Sequence, residues 1–494
     1  MKDGICFGWA ETDITPREKI ALAGQFYERA TTEVETPITV TALAIETASD
    51  QTVLCSCDIA HVTEELTAAV RARLNAAGLD PAKVIIGCVH IHNAYTYRDR
   101  GPFKHMPRSS LQVIRRYMPA DCTYIPQVTS GDCMDPDDAF DYLADAIAKT
   151  VNKAWENRKE GGYAAGFGRA AVGMNRRVCY SDGTAKMWGD ADMSTFTELE
   201  GGNDSGIEML FIYDKAKKLT GVVAAAACPA QVMEHRSVVS SDYWGKVKIL
   251  LRQKYGGDLF FLPFCAPAGD QCPRDLIRWV QPKEPLKDPN IIRPAPKRRD
   301  ADPSMFDVEG TRVIGRRIFS EIEAALENVT EIHEKAVHRH AVMAVKLPLR
   351  RVTERDRAEA ERCLTEFFKD KKELDYKDSA ALHVYAGTLQ RYETQARYST
   401  VEVEVHTVRF DDVAFGTDPF ELFLNYGNRI RARSAAAQTF LIQLANGSLG
   451  YLPTATAERH GHYSAYVSSG YVGHEGGDLL VDVTLDGINR LFEE

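Results

Sequence analysis

Between residues 39 and 90 the hydrophobic pattern changes period twice. Residues 39–47 and 52–58 are β-rich runs, residues 62–77 have helical spacing and stop at Gly78, and residues 83–90 return to a β-branched apolar run. Two strands joined through a helix pair in parallel with a right-handed crossover, and a parallel pair needs helices over its faces. The chain is therefore expected to be α/β, with mixed β-sheets flanked by helices. Further strands are predicted at 163–172, 207–213, 221–227, 258–264, 336–349, 401–410, 413–417 and 439–444, and helices at 137–158, 242–255, 308–327, 354–370, 420–433 and 479–492. One unit over residues 1–494 is expected, with insert-like regions at about 97–135 and 281–305. Within the first insert, residues 97–116 carry Arg98, Arg100, Lys104, Arg108, Arg115 and Arg116 against a single acid, Asp99. It reads either as a solvated loop or as an electropositive wall for a carboxylate or phosphate.

Composition narrows the function classes. A hydrophobic fraction of 44% beside 26% charged residues belongs to a globular chain able to bury a large core. A net charge of −10 argues against a general nucleic-acid binder. The first ten residues lack a signal peptide's apolar core, and no run approaches the roughly 18–20 apolar residues of a membrane helix. The eleven cysteines are odd in number and mostly sit inside apolar runs, so reduced thiols are expected rather than a disulfide framework. These readings point to the cytoplasm, with no nucleic-acid or membrane partner, and leave homo-oligomerisation open.

Chemically capable residues recur just past apolar strand-like runs, where open α/β sheets bind ligands. His90 and His92 end one run, Cys228 another, and Ala268–Arg274 (AGDQCPR) follows a third. Glu421 and Tyr451 follow two more. In His90-Ile91-His92 the alternation of an extended segment puts both imidazoles on one side, where they can face one metal or divide ligation and proton transfer. Cys272 is a thiol held between an acid and a proline on a strand-ending turn, a seat for a nucleophile. Each has a plainer reading: Cys228 as a buried small hydrophobe, Glu421 as a first-turn helix carboxylate, Tyr451 and Tyr463 as packing residues, Asp270 as a turn residue.

Taken in order, the segments resemble the neutral/alkaline non-lysosomal ceramidase family. Residues 8–16 (GWAETDITP) with Leu22, Ala23 and Gly24 resemble its opening. His90-Ile91-His92, Asn175-Arg176, the 268–273 segment, Pro419-Phe420-Glu421 and the pair Tyr451 and Tyr463, twelve residues apart, resemble its later elements. The resemblance runs from about Gly8 to the C-terminus and implies a zinc-dependent amidase with an α/β catalytic fold. It carries His90, Glu421 and Tyr451 over as metal ligands. It carries His92, Arg176 and Tyr463 over as groups around the scissile amide, with Asp270 beside them.

Two positions depart from the pattern. Cys272 stands at the family's nucleophile-segment serine, and Cys228 at its second metal-binding histidine. A thiolate is a sound zinc ligand, so Cys228 is the expected fourth ligand, with Glu234 and His235 near enough to substitute. The membrane-facing relatives are secreted and carry a further C-terminal β-sandwich, so ceramide is not the expected substrate. The expectation is a metal-dependent, zinc-type hydrolase of a small soluble amide or N-acyl compound, with any anionic group met by the arginine-rich insert. The alternatives are a Cys272-nucleophile amidase, a lyase or isomerase at the same site, and a non-catalytic binding protein on the same fold.

Overall fold

The computed structural model describes residues 4–99, 110–125, 131–278 and 307–493. Two sheets lie face to face, each with helices on its outer side. The large sheet has eight strands, in the order Phe260–Cys265, Leu219–Ala226, Gly206–Asp214, Lys159–Arg169, Ile5–Asp13, Thr39–Glu46, Gln51–Cys57 and Val84–Cys88. Its edges are the parallel pairs Leu219–Ala226 with Phe260–Cys265 and Gln51–Cys57 with Val84–Cys88; its other pairings are antiparallel. The parallel pairing expected across residues 52–90 is therefore present.

The small sheet runs His338–Pro348, Thr400–Phe410, Val413–Thr417, Gln438–Ile442, with the last pair parallel. Strand alternation divides each run between two cores. Leu43, Leu54, Ile85, Leu262 and Phe264 point inward against Phe410, Phe415, Phe440 and Ile442 of the small sheet. Ala42, Ala44, Val53 and Cys55 point outward, into the core shared with helices Pro136–Glu156 and Asp307–Glu327. The outer face of the small sheet is covered by helices Leu424–Arg433 and His474–Glu493. The architecture is thus helix, sheet, sheet, helix.

Three expectations change in detail. The helix expected over 62–77 is Glu64–Arg71: Thr63 caps its start, and past its end Asn152 Oδ1 takes the N–H groups of Asn75 and Ala76. The helix expected over 420–433 begins at Leu424, because Glu421–Leu422 pairs in parallel with Tyr451–Leu452. Glu421 is accordingly not a first-turn helix carboxylate. Helix Tyr376–Thr394 was not expected; with Leu111–Tyr117 and Glu354–Phe367 it forms a cap with its own core of Ile114, Leu364, Leu374, Leu382 and Leu389. Of the two insert-like regions, residues 281–305 lie outside the described residues, as do Arg100, Lys104 and Arg108. All eleven cysteines are free thiols. No helix among the described residues is long and apolar enough to cross a membrane.

Candidate active site

The sheet ends that carry the expected residues meet. Asn446 N donates to Ile86 O at 2.9 Å, Ala266 N to Ala226 O at 3.0 Å, and Gln443 N to Cys265 O at 3.2 Å. Gln443 Oε1 also accepts from Ala268 N at 2.9 Å and Leu422 N at 3.1 Å, tying the 268–274 turn to the segment bearing Glu421. Gly269 lets them touch: a Cβ there would lie 2.3 Å from Glu421 O.

His90 follows Val84–Cys88 in a left-handed conformation, φ 57°, a sparsely populated state for a non-glycine residue. Its Nδ1 lies 2.5 Å from Ala60 O, which can only accept, so Nδ1 carries the proton and Nε2 is left facing inward. Nε2 is 3.4 Å from Glu421 Oε2 and 3.5 Å from Nε2 of His92. Burial lowers the His90 pKa, and the Glu421 carboxylate more than offsets it, so it lies above the ordinary value. Burial raises Glu421, and His90 with Arg176 and a hydrogen bond from Tyr451 brings it below the ordinary value.

His92 is fixed from the other side. Its Nδ1 donates to Glu234 Oε2 at 2.9 Å, and Glu234 Oε1 lies 3.5 Å from Arg274 Nη2. Burial raises Glu234, yet the contacts with His92 and Arg274 hold it at about 2. Gly24, at φ 91°, packs against the His92 ring so closely that a Cβ would sit 2.3 Å from it, which explains a glycine in the 22–24 segment.

Arg176 and the tyrosines complete the group. Arg176 Nη2 donates to Gly269 O at 3.0 Å and to Tyr451 OH at 3.3 Å. Its Nε is buried with no hydrogen-bond acceptor among the described residues. Burial opposes its charge, but Tyr463, Tyr451, Cys272 and Glu421 outweigh that and hold its pKa above the ordinary value. The Tyr451 and Tyr463 rings are 6.1 Å apart, and Trp188 Nε1 donates to Tyr463 OH at 3.2 Å.

The structure thus brings together His90, His92, Glu421, Tyr451, Arg176 and Tyr463. Three other expected residues stand differently. Cys228 is fully buried, and its sulfur donates to Pro229 O at 3.5 Å. Burial, then Cys272 and Cys265, push its pKa well up. Neither Cys228 nor His92 completes, with His90 and Glu421, a group of three metal-type side chains whose ligand atoms all lie within 4.8 Å of one another. Cys272 is also fully buried, packed with Val178, Met187 and Trp188, and donates to Arg274 O at 3.2 Å. Burial pushes its thiol up to about 12 despite Arg176 and Arg274. A thiol so protonated near neutral pH is a poor nucleophile. The Asp270 carboxylate accepts from Asn175 Nδ2 and Leu424 N, both at 2.9 Å, and so fastens the turn.

Glu234, expected only as a substitute metal ligand, is instead the partner of His92, a place for which the sequence carries no periodic signal. His235 is half-buried, with a pKa lowered to about 4 by desolvation and then Arg274. The described arginines of the first insert are spent on acids and rings: Arg98 on Asp137 and Glu65, Arg116 on Glu393, Arg115 over Tyr124. Among the described residues, three metal-type side chains with ligand atoms within 4.8 Å of one another occur at Cys179, Glu200 and His460. There Arg177 already takes Glu200 through two N–H groups, at 2.5 and 3.0 Å, which opposes a cation.

The sequence matches no family model and no curated protein. By structure, the neutral ceramidase from Pseudomonas aeruginosa superposes with a TM-score of 0.67 at 15% identity, over 100% of this chain and 75% of that one. A ceramidase complexed with C2 gives 0.66 at 14%, over 99% of this chain and 75% of that one. The chain therefore has the mixed α/β fold of the neutral ceramidases.

Proposed function

We propose that the chain is a metal-dependent hydrolase of an amide bond in a small N-acyl compound, and that the residues around His90 carry the chemistry. The observation that bears most weight is the 3.4 Å separation between His90 Nε2 and the Glu421 carboxylate. Two donors on a tetrahedral zinc at about 2.0–2.1 Å sit roughly 3.3 Å apart, so the spacing suits Zn²⁺. Imidazole, carboxylate and phenol are donors zinc accepts, and the second ring nitrogen of His90 is already fixed by Ala60 O, as ligand support requires.

In this reading His90 and Glu421 hold the ion and Tyr451 flanks it. Cys228 stays outside. A zinc bound there supplies an activated water and polarisation of the carbonyl. His92, oriented by Glu234, accepts a proton at Nε2 and returns it to the leaving amine. Arg176, through its unused Nε, and Tyr463 donate to the carbonyl oxygen as negative charge develops on it. Burial of the group strengthens each of these interactions.

The test is amine release from a panel of N-acyl amino acids, N-acyl amino sugars and small amides, for wild type and Glu421→Gln. Turnover of any of them that Glu421→Gln lowers by about 100-fold or more fits the reading. Turnover untouched by that change would sink it.

A further inference from the structure

Two cavities meet at the site, and the cap forms a wall of each. One, of about 300 Å³, reaches His90 and Glu421, and its wall mixes polar side chains, among them His61, His383, Gln390 and Ser468, with Leu444, Leu449 and Tyr471. The other, of about 720 Å³, is lined by Phe26, Trp188, Tyr385, Tyr451, Tyr463 and Tyr466. His383, Ser468 and Ser469 belong to both.

The smaller cavity has little free charge among the described residues. Arg391 spends Nη1 on Val467 O and Gly470 O and Nη2 on Arg350 O and Tyr471 O. His61 faces Asp99 at 3.5 Å, and Glu421 is committed to His90 and Tyr451. What remains is hydroxyl, amide and imidazole: Ser468 Oγ is buried with no hydrogen-bond partner among the described residues, Gln390 lines the wall, and desolvation lowers the pKa of His383, whose side chain stays exposed. Such groups match hydroxyls and cannot neutralise a carboxylate. The larger cavity offers ring faces and edges, which reward a planar ring more than a flexible alkyl chain.

We propose that these cavities select a compact amide with an aromatic ring on one side of the scissile bond and an uncharged, hydroxyl-bearing group on the other, with His383 of the cap as the specificity-determining residue at the join. Ser110 fixes that residue from behind, its Oγ 2.7 Å from His383 Nδ1. The inference rests on the hydrolase reading for the bond that breaks, but the selection can be read by binding alone.

The experiment is calorimetric binding to the full chain carrying His92→Gln, which slows turnover, with three probes: N-phenylacetylglucosamine, N-hexanoylglucosamine and N-phenylacetylglutamate. The first is expected to bind about tenfold tighter than either other. Val384→Trp, which fills the aromatic cavity from the half-buried face of the cap helix, removes that preference, and His383→Ala weakens all three. Equal affinity for the three probes, or preference for the glutamate, overturns the proposal. Hydrolysis by wild type without the ring preference leaves the amidase reading standing and overturns this one. The ring preference in binding, with no hydrolysis of any amide, supports the cavities and overturns the amidase.

Discussion

Glu234 accepts a hydrogen bond from Nδ1 of His92 at 2.9 Å, with both side chains buried. The contact fixes the tautomer that leaves Nε2 of His92 facing Nε2 of His90. Glu234→Gln keeps the shape but can present its amide nitrogen to that ring. It is expected to lower kcat roughly 10–100-fold with KM little changed. Steady-state kinetics on the best substrate reads the split, and an effect confined to KM would contradict a positioning role.

Cys272 is a wall residue in this account. Cys272→Ser and Cys272→Ala should retain activity within about threefold, and the alanine variant should lose about 1 kcal/mol of stability from the small void left beside Trp188. Activity lost about 1,000-fold in both variants, with the fold intact, would restore thiol chemistry.

Metal content separates the two sets of candidate ligands. His90→Ala and Glu421→Gln should purify with less than about a tenth of the wild-type zinc, because each removes one of few donors. Cys228→Ala should keep it. Loss of zinc in Cys228→Ala, measured by elemental analysis, would place the thiol among the ligands.

A buried polar chain between the sheets sets the acid stability. Thr52 Oγ1 lies 2.9 Å from His338 Nε2 and from His340 Nδ1; His340 Nε2 lies 2.8 Å from His406 Nδ1; His406 Nε2 lies 2.7 Å from Glu404. Burial lowers all three histidines, His338 from 6.5 to about 4. A depressed histidine binds its proton in the unfolded chain first, so stability is present above pH 6.5 and falls as pH drops toward 4. The slope is about 1.4 kcal/mol per pH unit for each histidine that titrates only when unfolded. Urea titrations at pH 7.5 and 5.0 should show this loss, and His338→Gln should reduce it; a flat profile in wild type would show that the histidines charge without unfolding.

Much of this was legible in the sequence because strand period and strand ends are local signals. The runs around residues 84–90 and 413–421 put His90 and Glu421 at sheet ends, and the family resemblance supplied Tyr451. Cys228 lies where its run places it, just after an alanine strand, and Tyr243 OH holds its carbonyl at 2.7 Å in a turn whose thiol stays in the core. Glu234 lies in that aperiodic turn, where no pattern announces a partner. Helix Tyr376–Thr394 escaped because it uses more than one face: Leu382 and Leu389 enter the cap core while His383, Gly387 and Gln390 line a cavity. A helix with work on several sides shows no clean apolar stripe.

The central claim is most directly tested by following amine release from N-acyl amides while the metal is removed and returned. The account predicts turnover that a chelator abolishes and stoichiometric Zn²⁺ restores. Turnover that persists in the metal-stripped protein would contradict it.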